Sequence, residues 1–347
     1  MTTTTSMMRA EIAEQPEALR RTFAELLPLR REIEDLGRRT RQVLFIARGS
    51  SDNAAVYGGY LLQVHAGRMA TLGSPSVATV YGAKTDLSDV LAVAISQSGK
   101  TEEIVETMRW AAGCGARTVA ITNGADSPLA TEADVALVTQ AGNELAVPAT
   151  KTYNTQLAAL AVLALGLGAD LDAGELELAP QGIEETLAAP ADVLEEIAER
   201  MASVRGTVVS GRGLATSTAL EAALKLKEAC YLHAMGMSYA DLLHGPIAVL
   251  DSRTPTLLMA SPTGPTLRGA VSLAEQARSA GSPVFGFGGG AALASASDLS
   301  VPVPDVPEWI CPMNLIVPAQ LLTERLARRL GHDPDVPRGL NKVTQTT

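Results

Sequence analysis

Val43-Leu44-Phe45-Ile46-Ala47-Arg48-Gly49 reads as a buried strand running into a glycine turn, and Thr207-Val208-Val209-Ser210-Gly211-Arg212-Gly213 reads the same way 164 residues later. Each is a largely β-branched or apolar run followed by an arginine and a glycine that frees the backbone to turn. Two further pairs keep the spacing. Ser96-Gln97-Ser98-Gly99-Lys100-Thr101 corresponds to Ser261-Pro262-Thr263-Gly264-Pro265-Thr266 at an offset of 165, and Ala133-Asp134 corresponds to Ser297-Asp298 at 164. Unrelated loops would seldom hold one spacing, so two copies of a single α/β unit are expected.

Around these turns, short apolar runs alternate with longer helical patterns. Strands are expected at Val43–Ala47, Val90–Ile95, Thr118–Thr122 and Ala136–Thr139, and their alternation with helices predicts a parallel sheet covered on both faces. Met8 to Leu36 has helical periodicity broken at Pro16, which predicts two helices. Asp170 to Gln181 is acidic and aperiodic and reads as a connection before the pattern restarts at Thr207.

A chain of 347 residues is long for one core and suits two domains. Hydrophobic residues are 46 % and charged residues 19 %, enough apolar surface for substantial cores. The 28 basic and 38 acidic residues give a net charge of −10, which disfavours nucleic acid and anionic membrane surfaces as partners. Cys114, Cys230 and Cys311 form no CxxC pair, so neither a disulfide framework nor a zinc ribbon is expected. The Thr-rich start has no signal-peptide core, and the apolar run Leu157 to Ala169 falls short of the roughly 20 residues a membrane helix needs. A cytoplasmic protein without metal or cofactor is the expectation.

Ile95 to Thr101 leaves a strand and opens a helix at Glu102, bringing hydroxyls and free N–H groups to a positive helix end. The spacing is neither a Walker loop nor a dinucleotide loop, so a phosphate monoester is the expected ligand, with a simple helix cap as the bland alternative. In the second copy Pro262 and Pro265 have no N–H to offer, so only the first loop should cradle phosphate. Arg48 to Asp52 is a second hydroxyl-bearing turn, in which Ser51 reads equally well as an N-cap.

Glu221, Lys225 and Glu228 share one face of a strong helix. They read either as a surface salt-bridge ladder or, if partly buried, as a carboxylate poised beside a lysine to act as general base. His233 and His244 flank a short segment, and His244-Gly245-Pro246 puts an imidazole at a turn. The proline-rich stretch Asp333 to Lys342 reads as a solvated tail.

Together, Glu11 to Pro16, Arg48 to Ser51, Ser96 to Thr101, Glu144 to Lys151, Glu221 to Glu228, His244 to Pro246 and Pro337 to Lys342 resemble the SIS (sugar isomerase) family. The similarity is to its two-repeat branch, comprising the isomerase half of glutamine:fructose-6-phosphate aminotransferase and the SIS-type glucosamine-6-phosphate deaminases. Leu340 to Thr346 is similar to the deaminase-type ending. The resemblance implies two tandem flavodoxin-like α/β/α domains, over residues 37–180 and 181–330, after helices at 1–36 and before a closing tail at 331–347. It implies that Ser96, Gln97, Ser98 and Thr101, with Ser51 nearby, hold a sugar 6-phosphate, and that Val147 and Ala149 also line the substrate. It further implies Glu228 as the base at C1/C2, assisted by Lys225, with His244 from a partner subunit of a homodimer opening the ring and Lys342 closing over the sugar.

Met235 and Asp241 stand where such relatives usually carry glutamates, and Pro148 replaces an alanine. A departing ammonium would use a nearby carboxylate, whereas a neutral acetamido group would not. Deamination and isomerisation of glucosamine 6-phosphate, loss of water from N-acetylglucosamine 6-phosphate, and a non-catalytic sugar-phosphate sensor therefore all stay open. The sequence shows no amino-terminal glutaminase segment and no Cys at position 2, so glutamine-dependent amination is not expected.

Overall fold

The computed structural model describes residues 5–342, so most of the Thr-rich start and Val343 to Thr346 of the deaminase-like ending lie outside the described residues. The first copy runs α1 (Met7–Ala13), α2 (Gln15–Leu26), α3 (Arg30–Gly37), β1 (Gln42–Ile46), α4 (Ser50–His65), β2 (Met69–Leu72), α5 (Ser76–Thr79), β3 (Val90–Ile95), α6 (Glu102–Gly113), β4 (Arg117–Thr122), α7 (Pro128–Glu132), β5 (Val135–Val138) and α8 (Lys151–Gly166). The second runs α9 (Leu178–Ala188), α10 (Asp192–Met201), β6 (Gly206–Gly211), α11 (Ala215–Cys230), β7 (His233–Ser238), α12 (Tyr239–Leu243), β8 (Thr256–Ala260), α13 (Leu267–Ser279), β9 (Val284–Gly288), α14 (Gly290–Ala296), β10 (Leu299–Val301) and α15 (Cys311–Arg329).

The sheets have strand orders β2-β1-β3-β4-β5 and β7-β6-β8-β9-β10, and every pairing is parallel. The two orders are the same order, as a duplication requires. The central strands β3 and β8 are buried at every position, which is why they read as continuous apolar runs. In each sheet the chain first steps one way and then returns past its starting strand. The carboxyl ends of β1 and β3, and of β6 and β8, therefore flank a switch-point crevice where open α/β folds bind ligands.

Two compact units hold these sheets, and neither is one continuous segment. One comprises Glu17–Glu144, Lys151–Gly174 and the residues from Asn341, and carries the first sheet; the other comprises the residues up to Pro16, Leu145–Thr150 and Glu175–Leu340, and carries the second. In the latter, the backbone N–H groups of Met7 and Met8 donate to the Asp335 carboxylate at 2.8 and 2.7 Å, and Gln15 Nε2 donates to Gln320 Oε1 at 2.8 Å. No helix among the described residues is long and apolar enough to cross a membrane.

Three expectations need correction. The amino-terminal segment is three helices, because Pro28 breaks it again in a 3-10 turn over Leu27–Leu29; the first break falls at Glu14, and Pro16 sits in the first turn of α2, where its missing N–H costs little. The connection after Asp170 is shorter than read, since Ala173–Glu177 forms a 3-10 turn and α9 starts at Leu178 to bury Ala179 and Pro180. β2 was not expected from the sequence at all: its residues are mostly exposed at the sheet edge, so burial impressed no pattern on them.

The duplicated aspartates do duplicated work. Asp134 Oδ2 accepts from Thr118 N at 2.8 Å and from Thr118 Oγ1 at 3.1 Å, and Asp298 Oδ2 accepts from Val284 N at 2.8 Å. Valine has no hydroxyl, so of these bonds the second copy keeps the backbone one; the other oxygen of each aspartate meets an arginine, Arg117 at 3.1 Å and Arg278 at 3.3 Å. Asp134→Ala is expected to cost roughly 1–3 kcal/mol and Asp298→Ala less. Urea denaturation of the two variants checks this, and a larger loss in Asp298→Ala would contradict it.

Candidate active site

In the unit with the first sheet, the loop leaving β3 turns on Gly99, whose φ of +62° suits glycine. A β-carbon there would lie 2.1 Å from Ser127 Oγ and 2.8 Å from Thr122 Oγ1, so no other residue fits. The turn is fixed from behind by Asn123 N donating to Gln97 O at 3.0 Å and Thr122 Oγ1 donating to the same carbonyl at 3.3 Å. In front, the Ser96 and Thr101 hydroxyls lie 3.4 Å apart, and Lys100 N donates to Ser98 Oγ at 3.2 Å. Thr101 is the N-cap residue of α6, yet its side chain makes no cap bond. The hydroxyl faces Ser96 instead, which a helix-cap reading does not predict. The loop offers three hydroxyls at the positive end of a twelve-residue helix, an arrangement that suits an oxyanion.

Ser51 is not an N-cap. Gly49 takes that position, at φ +60°, and Ser51 lies within α4, buried, where its Oγ accepts from Gln156 Nε2 of α8 at 3.0 Å. This leaves the Ser51 proton to be donated. Asp52, one residue on, has its carboxyl pushed up by burial, with Arg48 opposing.

Lys342 is not a free tail residue, although its side chain is 25 % exposed. Its Nζ donates to Glu144 Oε2 at 2.6 Å, and Glu144 is buried. The same carboxylate accepts from Thr152 N at 3.1 Å and Thr152 Oγ1 at 2.6 Å, so it caps the amino end of α8 while holding the tail lysine. Sequence reading gave Glu144 no role, because a cap eight positions from its N–H partner has no spacing signature.

In the unit with the second sheet, α11 resolves the reading of its charged face. Glu221 is 0 % and Lys225 1 % exposed, which excludes a surface ladder. Lys225 Nζ lies 3.4 Å from Glu221 Oε1 and 2.5 Å from Glu228 Oε2. Two carboxylates share one ammonium in a nearly dry setting, where removing one partner of such a cluster typically costs about 3–5 kcal/mol. Glu228 is the outer member at 22 % exposure, and because its Oε2 is buried against Lys225, Oε1 is the oxygen that can meet a ligand. The helix ends at Tyr231, held left-handed at φ 56°, whose hydroxyl accepts from Arg338 N at 2.9 Å and whose ring lies under the Arg338 guanidinium. Tail and helix end are thereby joined.

His244 caps α12 and is exposed; its ring makes no hydrogen bond among the described residues, as a group offered outward would. Val147 and Ala149 are half-buried, with Pro148 buried between them. Their segment is pinned by Glu11, whose carboxylate accepts from Leu145 N and Ala146 N, and by Val147 N donating to Asp335 O at 2.8 Å. Met235 stands half-exposed on β7, and Asp241 lies in α12.

The loop after β8 differs from its counterpart in more than its prolines. A β-carbon at Gly264 would lie 2.7 Å from Glu308 Oε2, so a carboxylate already presses on the second loop. Burial pushes the Glu308 carboxyl up. No cluster able to hold a metal occurs among the described residues.

Comparison with known proteins follows the same lines. A family model described as SIS domain matches residues 38–166. The isomerizing glutamine–fructose-6-phosphate aminotransferase of Pyrococcus horikoshii is 35 % identical over 342 residues, taking in 96 % of this chain and 57 % of that protein. The chain thus spans a little over half the length of the curated relatives it matches. Among solved structures, the C-terminal domain of glucosamine-fructose-6-phosphate aminotransferase from Francisella tularensis superposes with a TM-score of 0.85 at 26 % identity, covering 96 % of this chain and 99 % of that one. A phosphosugar isomerase candidate from Silicibacter pomeroyi DSS-3 superposes with a TM-score of 0.81 at 33 % identity, covering 95 % of this chain and 100 % of its own. Matched along the whole of that relative, and built from two α/β units of one strand order, the chain belongs to the SIS domain family.

Proposed function

We propose that this chain is an amino-sugar 6-phosphate enzyme that converts glucosamine 6-phosphate and water to fructose 6-phosphate and ammonia. The observation that carries the reading is the buried Glu221–Lys225–Glu228 cluster, since a carboxylate clamped on a dry lysine is costly unless its chemistry is used. The related aminotransferases are named for fructose 6-phosphate, and the one from Francisella tularensis for glucosamine as well.

Ser96, Ser98 and Thr101, with Gln97 and Ser51 beside them, hold the 6-phosphate, so that binding energy at the inert end of the sugar orients C1 and C2. His244, lent by the partner subunit of a homodimer, moves the proton that opens the ring to the C1 aldehyde. Glu228 takes the C2 proton and Lys225 stabilises the charge that develops. Return of the proton to C1 gives a C2 imine, and water then adds and expels ammonia. Lys342, fixed by Glu144, closes over the sugar, and Val147 and Ala149 are substrate-lining residues. No step needs a metal or cofactor.

Met235 favours a second reading. With an apolar side chain where relatives usually carry a glutamate, a neutral acetamido group is better matched than an ammonium, and the same C2 proton removal would expel the C3 hydroxyl as water from N-acetylglucosamine 6-phosphate.

Incubation with each sugar phosphate separates the readings. Ammonia and a ketose from the first support deamination, and loss of water from the second supports elimination. In either case Glu228→Gln is expected to lower turnover by about two orders of magnitude or more while binding persists, and solvent deuterium should enter the sugar only with the native protein. Near-full turnover in the variant would abandon the mechanism.

Ser98→Ala is expected to weaken sugar-phosphate binding by about fivefold or more. Thr263→Ala should be nearly silent, because its loop lacks two N–H groups and already meets Glu308. Equal effects in a titration would remove the asymmetry. Mixing Glu228→Gln with His244→Ala should restore activity if His244 acts across a subunit boundary, and verified mixed dimers without activity would contradict that.

A further inference from the structure

Four arginines converge on a cavity of ≈ 530 Å³ in the unit that carries the second sheet. Arg9 comes from α1, Glu195 from α10, and Glu324, Arg325, Arg328 and Arg329 from α15. Four guanidinium groups against two carboxylates leave two positive charges uncompensated, in a chain whose net charge is −10. Both carboxylates are already engaged. Glu195 accepts from Arg325 Nε at 2.8 Å and meets Arg329 at 3.8 Å, while Glu324 accepts from Ser6 Oγ at 2.8 Å and meets Arg328 at 3.5 Å.

Arg9 is the group this network does not explain. Its Nη1 is buried with no hydrogen-bond partner, and burial together with the neighbouring Arg325 charge lowers its pKa, only partly offset by the carboxylates of Glu324 and Glu195. Arg328 and Arg329 lie in the last turn of α15, where the helix dipole favours cations, but Arg9 stands on another helix and gains nothing from that. A buried guanidinium donor that makes no hydrogen bond is unfavourable unless an acceptor completes it, and neither nearby carboxylate does.

We propose that this cavity binds a small oxyanion of the phosphate or diphosphate class carrying at least two negative charges. Its oxygens meet Arg328 and Arg329, whose planar forks match such groups, with the Arg9 guanidinium lining the same cavity. This site shares no residue with the hydroxyl loop or with α11 and stands apart from the amino-sugar reading. A second arginine-lined cavity, around Arg31, Arg38 and Arg68, lacks the deciding feature: Arg68 donates to the carbonyls of Gly37, Thr40 and Leu167, and Arg38 pairs with Glu34 and Asp35.

Isothermal titration of the full chain with sodium pyrophosphate tests the site. Binding is expected in the native protein and in Ser98→Ala, is expected to weaken by about tenfold or more in Arg9→Met and in Arg328→Gln, and should be unchanged in Arg31→Gln. If Arg9→Met fails to fold, Arg328→Gln decides, since Arg328 is 39 % exposed and its loss leaves the core intact. ADP titrated in parallel identifies the source: tighter Arg9-dependent binding than pyrophosphate assigns a nucleoside diphosphate, and weaker binding assigns the free oxyanion. Pyrophosphate binding that disappears in Ser98→Ala and is untouched by both arginine variants, or no binding at all, overturns the proposal. Turnover of Glu228→Gln has no bearing on either result.

Discussion

A helix with no exposed residue must find every hydrogen bond inside the protein, and α8 is such a helix from Lys151 to Gly166. Its amino end needs an acceptor, which Glu144 supplies through Thr152. A buried carboxylate in turn needs a cation, and Lys342 provides it. One turn further along, Gln156 has an amide to satisfy and spends it on Ser51. Several residues that look like a dispersed sugar-binding set are thus successive answers to the burial of one helix. Their positions in the fold follow from that demand whatever ligand they serve.

The second copy meets the same demand with other residues. In α15, which is buried from Cys311 through Glu324, Asn314 Nδ2 donates to Ala179 O at 3.0 Å and Gln320 donates to Thr150 O at 3.3 Å. Duplication thus preserved the need for internal partners while freeing each copy to choose them. The loops after β3 and β8 diverged similarly: both carry three hydroxyls, but the second has prolines in place of two N–H groups and a neighbouring carboxylate. The copy whose loop carries the prolines also carries the buried lysine cluster on α11.

Where burial leaves a period, the sequence could be read. β3 is legible because both its faces are covered, and the repeat offsets locate the loops after β3 and β8 without any structure. Glu221, Lys225 and Glu228 could be placed on one helical face by spacing, but their burial could not, since α15 lies against α11 and is more than eighty residues away in sequence. β2 was illegible because solvent imposes no alternation. Glu144, Gln156 and Glu308 escaped notice because each acts through a partner that spacing alone does not reveal. The family resemblance pointed to the segment holding Glu144 but not to its capping of α8.

The bond from Met7 and Met8 to Asp335, and that from Lys342 to Glu144, also set an order of events during synthesis. The first sheet and α8 can emerge and pair early, yet the buried Glu144 carboxylate waits nearly two hundred residues for its cation. The helix that opens the chain waits longer still for the aspartate that caps it. Both seams close only when translation reaches the same short stretch near the carboxyl end. A ribosome that pauses just short of it holds two nearly complete units with neither one sealed.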